Sequence, residues 1–357
     1  MLTRRALLAA ALPPAQMNDA VKPLAEAVAA GQLRAAVLRV TQGDGVYERA
    51  FGAATPASPF LIASITKPMT AAAVMTVVEA GKLQLDAPAA KLLPGFDGRI
   101  TLRQMLSHTS GLPDMLPENI ALRRRNAPLR EWAKLAMKTP LLFAPGEKVS
   151  YQSMGILLAA TMAELVSGVA MPKLLEQRIY GPLGMKDTRF FVPAAEKDRL
   201  AVVYATGAEG KAVRAAEGSR GQGHYVDGPR KSFSGGAGLT STARDYARFL
   251  EAIRRGGALD GARILGPRAV GLMTTNQSGT LHSTTGLGFG YGFQTIDRYG
   301  ASGLAAVGAF GWSGAYGTTY QVDPKSRMVV VLMIQQMPNG TDIQAKYLAS
   351  VYQALVD

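Results

Sequence analysis

Residues 60–68 read Phe60-Leu61-Ile62-Ala63-Ser64-Ile65-Thr66-Lys67-Pro68, and the chain then runs nearly all apolar to Ala80 before Gly81. The β-type run before Ser64 leads into a helix expected over Ile65 to Ala80. Proline is tolerated in a first helical turn, which fits Pro68, and glycine commonly stops a helix, which fits Gly81. A helix that is apolar all round belongs at the centre of a large fold. If it starts near Ser64, positions i and i+3 share one face and the Lys67 amine meets the Ser64 hydroxyl. Serine is a poor nucleophile without a base beside it. Burial and the helix dipole push such a lysine toward its neutral form. The same helix N-terminus favours a developing oxyanion. A serine three residues before a lysine is a weak signal by itself; its place at a strand-to-buried-helix junction gives it weight.

Working outward, Asn18 to Ala30 reads as an amphipathic helix. Leu33 to Val40 and Val46 to Ala54 read as strands joined by Gly43-Asp44-Gly45. The middle of the chain is mainly helical, with helices expected over Leu102 to Leu106, Leu129 to Ala136, Gly155 to Leu165, Met171 to Arg178 and Ala243 to Arg254. Ala201 to Ser234 is Gly-rich and polar, and reads as loop or short strands. Strand signals return over Tyr291 to Asp297, Ala306 to Trp312, Thr318 to Val322 and Met328 to Ile334, and Thr341 to Leu355 closes as a helix. The expected fold is α/β of the α+β kind. An antiparallel sheet built from both termini is flanked by the N- and C-terminal helices, beside a mainly helical lobe. Residues 1–16 are set apart as a tail. Residues 17–357 form one domain, with a sheet lobe of about 17–75 and 265–357 and a helical lobe of about 76–264.

Several segments together resemble one family. They are Phe60 to Lys67 with Glu79-Ala80-Gly81-Lys82-Leu83 and Leu85-Asp86; Leu106-Ser107-His108-Thr109-Ser110-Gly111-Leu112-Pro113; Pro145-Gly146-Glu147 followed by Tyr151; Gly181-Pro182-Leu183-Gly184-Met185; and Gly238 to Ala243 with Asp245. In this order they resemble the class C β-lactamase and D-Ala-D-Ala carboxypeptidase superfamily of serine hydrolases, closest in motif to its esterase members. The likeness covers roughly Leu33 to the C-terminus and implies a β-lactamase/transpeptidase-like fold. It implies Ser64 as nucleophile, Lys67 as its partner and Tyr151 as the proton shuttle. It also implies that Trp312-Ser313-Gly314 stands where the family usually has Lys-Thr-Gly or His-x-Gly, with the Ala315 amide joining that of Ser64 in an oxyanion hole. Two positions depart from the pattern. Tyr151-Gln152-Ser153 replaces Tyr-x-Asn, with Ser153 expected to hydrogen-bond Lys67. Trp312 replaces a cation, which argues against β-lactam recognition.

Composition narrows the alternatives. Among 357 residues there are 39 Lys+Arg against 26 Asp+Glu, 48% hydrophobic residues and no cysteine. That excludes disulfides and thiol chemistry and argues against disorder. The charges are scattered, and the densest run, Arg123-Arg124-Arg125, reads as a solvated helix face. No nucleic-acid-binding motif appears. His108, His224 and His282 form no metal-binding spacing, so no metal or cofactor is expected. His108 reads as a structural hydrogen-bonding residue. Gly286, Gly288, Gly290 and Gly292 read as sites of close backbone approach. Asp86 and Asp245 read as caps or lobe-joining contacts. Thr3-Arg4-Arg5 before a short apolar run resembles a twin-arginine export signal. This implies a periplasmic or secreted protein, with a frayed tail and a cytoplasmic location as the alternative. No other run is long enough to span a membrane.

The expected activity is hydrolysis of a small carboxylic ester or amide through an acyl-enzyme, esterase favoured. β-Lactamase or D-amino-acid peptidase activity is the alternative. A rival from another class is an acylatable binding or sensor module with little turnover. Oligomeric state is not encoded in any feature identified.

Overall fold

The computed structural model describes residues 14–125, 127–216 and 235–355. Residues 1–13 of the candidate export segment (1–16), His224, and residues 217–234 of the Gly-rich stretch lie outside the described residues.

The first helix prediction divides into α1 (Pro14–Ala20) and α2 (Lys22–Ala29). Strands β1 (Ala35–Gln42) and β2 (Gly45–Gly52) form the expected hairpin. Their seven-stranded sheet continues with β9 (Leu287–Phe289), β10 (Gln294–Ile296), β11 (Phe310–Ser313), β12 (Thr319–Asp323) and β13 (Met328–Ile334), in the order β2-β1-β13-β12-β11-β10-β9. Every neighbouring pair is antiparallel, and β1 meets β13 with Ala36 opposite Ile334 and Gln42 opposite Met328. The two chain ends thus share one sheet. Shorter pairs are β3 (Phe60–Leu61) with β6 (Thr240–Ser241), β4 (Tyr204–Thr206) with β5 (Ala212–Arg214), and β7 (Ala258–Leu259) with β8 (Ala262–Arg263).

All seven β13 residues are buried because both sheet faces are covered. Val329, Val331 and Met333 face one core, while Met328, Val330, Leu332 and Ile334 face another formed with α1, α2 and α11 (Ile343–Gln353). This is the period-two alternation of a strand acting between two layers. The first core is built around α3 (Lys67–Glu79), which begins after a 3-10 turn over Ala63–Thr66. Ten of the thirteen α3 residues are buried, from Lys67 through Met75 without a break and Val77, and α3 packs on α7 (Met154–Ser167) and α8 (Met171–Leu175).

The middle of the chain also contributes α4 (Leu102–Leu106), α5 (Asn119–Arg124), α6 (Leu129–Ala136), α9 (Ala243–Arg254) and α10 (Pro267–Thr274). The helix expected over Met171 to Arg178 changes to a π turn at Glu176–Tyr180. Although α9 falls within the 76–264 stretch assigned to the helical lobe, it packs on β1, β12 and β13. Among the described residues no single helix is long and apolar enough to cross a membrane.

The alternate glycines serve close packing. A Cβ on Gly290 would lie 2.0 Å from the Met273 carbonyl, and one on Gly292 would lie 3.0 Å from Pro68 Cα, at the start of α3. Asp245 accepts from Asp187 N and Thr188 Oγ1, and Asp86 pairs with Arg103, so both join distant segments.

Candidate active site

Ser64 sits in the 3-10 turn that feeds α3. The residue before it, Ala63, has φ +43, a left-handed conformation that a non-glycine residue holds only when its surroundings fix it. Ile62 N bonds Leu239 O, the Ile65 carbonyl accepts from Tyr246 Oη, and Thr66 Oγ1 accepts from Leu239 N. The turn is therefore tied at three points.

Lys67 is 1% exposed, and its Nζ donates to Ser64 Oγ at 3.2 Å and to the Gly236 carbonyl at 2.9 Å. Burial pushes its ammonium down to about 7; Asp114 opposes this and Arg123 adds to it. The amine also lies 4.8 Å from the centre of the Tyr151 ring. Burial pushes the Tyr151 phenol up to about 12, with Ser64 and Trp312 pulling partway back. The Tyr151 hydroxyl is buried and makes no hydrogen bond among the described residues.

Three segments far apart in sequence meet here. Tyr151 lies between His108, at 4.8 Å between ring centres, and Trp312, at 4.9 Å. Trp312 belongs to β11, and Gly314 beyond it packs against the Ser64 turn. A Cβ on Gly314 would stand 2.5 Å from the Ile62 carbonyl and 2.2 Å from Thr318 Oγ1, so only glycine fits. That contact sets Ala315 beside Ser64 on the wall of one cavity. The Ala315 amide has no hydrogen-bond acceptor among the described residues. Ser313, paired with Thr319 across the sheet, is exposed.

The cavity measures about 380 Å³. Met115, Leu116, Trp132, Met154, Leu157 and Met337 make most of its wall apolar, and Asp114, Ser153 and Arg123 supply polar points. Two expectations need correction. Ser153 does not bond Lys67: its hydroxyl donates to Asp114 Oδ1 at 2.8 Å, and Lys67 Nζ donates instead to the Gly236 carbonyl. Arg123 is not on a solvated helix face, because α5 turns it toward the cavity, whereas Arg125 reaches outward to Glu131.

Sequence reasoning missed Gly236, Asp114 and the cavity wall. Asp114 directly follows the family-like His108 to Pro113 stretch and could have been flagged; Gly236 carries no signal because it contributes only a backbone oxygen. Among the described residues no group of three His, Cys, Asp or Glu side chains is placed to hold a metal ion.

A strand-flanked serine beside a buried lysine, opening on an apolar cavity, is the arrangement of an active-site serine hydrolase. The chain belongs to the Beta-lactamase family of serine hydrolases, whose model matches residues 20–353. The protein Rv1367c of Mycobacterium tuberculosis is 30% identical over 78% of this chain and 78% of its own. Esterase EstB of Burkholderia gladioli is 31% identical over 79% of this chain and 78% of its own. Among solved structures, EstCE1, a hydrolase with promiscuous acyltransferase activity, superposes with TM-score 0.83 at 24% identity, covering 96% of this chain and 98% of its own. That likeness speaks to the fold.

Proposed function

We propose that this enzyme hydrolyses carboxylic esters through an acyl-enzyme on Ser64. The observation that carries this reading is the buried Lys67 amine, down to about 7 and 3.2 Å from Ser64 Oγ. A lysine with that pKa is half neutral at physiological pH and can take the serine proton as Oγ attacks the ester carbonyl. The Ser64 and Ala315 amides would hold the resulting oxyanion. Tyr151, beside the lysine, would give its phenol proton to the leaving alkoxide and take in exchange the proton that Lys67 received from Ser64. Water then attacks the acyl group in the reverse sense, releasing the acid and restoring the serine.

Ester rather than β-lactam substrates are favoured by two features. Trp312 places an uncharged indole against Tyr151, where a cation would hold a substrate carboxylate; losing such a charge-assisted bond costs about 1.5–3 kcal/mol. The apolar cavity wall suits an uncharged acyl or alcohol group, and the likeness to an esterase supports the same reading. The test compares kcat/KM for p-nitrophenyl esters, a chromogenic cephalosporin and a D-alanyl-D-alanine peptide. The proposal requires the best ester to exceed both others, and a cephalosporin that outperforms every ester would overturn it.

We also propose export, from Thr3-Arg4-Arg5. The mature protein would begin near Ala15 to Asn18. Mass spectrometry of the natively expressed protein tests this, and an intact Met1 or Leu2 end would refute it.

A further inference from the structure

The backbone amides on either side of Tyr151 both end on one residue. Ser150 N donates to the His108 carbonyl at 2.9 Å, and Gln152 N donates to His108 Nδ1 at 3.3 Å. Between them the Tyr151 ring packs on the imidazole at 4.8 Å and 47°. Phe289 meets the imidazole edge-on at 4.8 Å, and Trp312 packs on both Tyr151 and Phe289.

We propose that His108 is a positioning residue for Tyr151, holding the phenol over Lys67 and Ser64 without itself touching the substrate. The inference rests on the proton-relay reading of Tyr151 given above. The Tyr151 phenol interacts with Ser64 and Trp312, and its ring neighbours and flanking backbone aim it there. His108 supplies one face of the first and both anchors of the second.

Few residue types can do this. The position has φ +61, a left-handed conformation in which Asn, Asp and His are the usual non-glycine residues. Only His among them adds a flat ring to stack on. With Nδ1 accepting from Gln152 N, the imidazole must lack a proton there. Burial first, then the nearby Lys67 charge, holds it down to about 3, so the acceptor persists across neutral pH. With its Nδ1 lone pair taken by Gln152 N and its other ring nitrogen carrying the proton, the neutral imidazole has no free lone pair to act as a general base.

The test is a kinetic double-mutant cycle on the purified enzyme with a p-nitrophenyl ester and a poorer alkyl ester. His108→Asn keeps an acceptor and tolerates the left-handed backbone but removes the ring. Misplacing a catalytic group by about 1 Å can cost about a hundredfold, so kcat is expected to fall roughly ten- to a hundredfold with KM within about twofold. In a Tyr151→Phe background the same change should alter kcat less than about twofold, because the group it aims is gone. His108→Gln is read the same way if the Asn variant does not fold. A normal kcat in His108→Asn, or an equal loss in the Tyr151→Phe background, overturns the positioning role while leaving Tyr151 in place. A Tyr151→Phe enzyme with wild-type kcat on the alkyl ester overturns the Tyr151 reading itself, and the positioning role with it.

Discussion

Replacing Lys67 with Met should erase a pH dependence of stability that the wild-type enzyme displays above neutrality. Lys67 is held down to about 7 by burial, whereas an unfolded lysine titrates near 10.4. Between these values the unfolded chain binds one proton more than the native chain, so wild-type stability rises with pH. The rise is about 1.4 kcal/mol per pH unit. Below about pH 7 both states are charged and the full desolvation cost is present.

From pH 7.5 to 9.5 the gain is therefore about 3 kcal/mol. With an unfolding entropy of roughly 2.1 cal/mol/K per residue, a chain of this length gains about 4 °C in Tm. The interval avoids other titrations near the site. His108, held to about 3, has finished contributing below it, and Tyr151, raised to about 12, acts above it. With no cysteine in the chain, no thiol titrates in the interval. Lys67→Met also loses the bonds to Ser64 and Gly236, but that offset is independent of pH and drops out of the slope. Differential scanning calorimetry of both proteins at pH 7.5, 8.5 and 9.5 reads the difference. Parallel Tm-against-pH lines, agreeing within about 1 °C over the interval, would show that Lys67 is charged in the native state and refute the argument.

Three further outcomes are expected. A fluorophosphonate probe should label Ser64 alone, and Ser64→Ala should lose labelling and turnover together; persistent labelling in that variant places the nucleophile elsewhere. The acidic limb of kcat/KM should lie near pH 7, and Asp114→Asn should move it lower, because Asp114 raises the lysine pKa; a pH-rate profile that moves upward contradicts this sign. Gln152 is fully buried, with Nε2 donating to the Met105 carbonyl at 3.1 Å and Oε1 accepting from Gly155 N. Gln152→Ala strands both backbone groups and should destabilise by roughly 2–6 kcal/mol at about 1–3 kcal/mol each, read by urea unfolding, whereas a loss under about 1 kcal/mol would mean that the site relaxes or admits water.

What the sequence determined by itself is what short-range geometry controls. The apolar run after Ser64 could only be a buried helix, and a spacing of three residues on it brings Lys67 to Ser64 wherever that helix packs. The β-branched, apolar runs of β1 and β13 marked strands, and the family resemblance pointed to Trp312-Ser313-Gly314 as a strand beside Ser64. Tertiary structure decided everything that depends on which distant segments meet. Lys67 finds its second acceptor at Gly236, 169 positions away, through a backbone oxygen that any residue would present. Ser153 had two polar groups within plausible reach, and the position of Asp114 turned it away from Lys67. Arg123 carried the same charge in sequence as Arg125, yet the orientation of α5 sends one toward the cavity and the other to Glu131. His108 looked merely structural until the fold set Ser150, Tyr151 and Gln152 against it. Its role depends on two hydrogen bonds and a ring contact made across more than forty residues of chain, which no local pattern can encode.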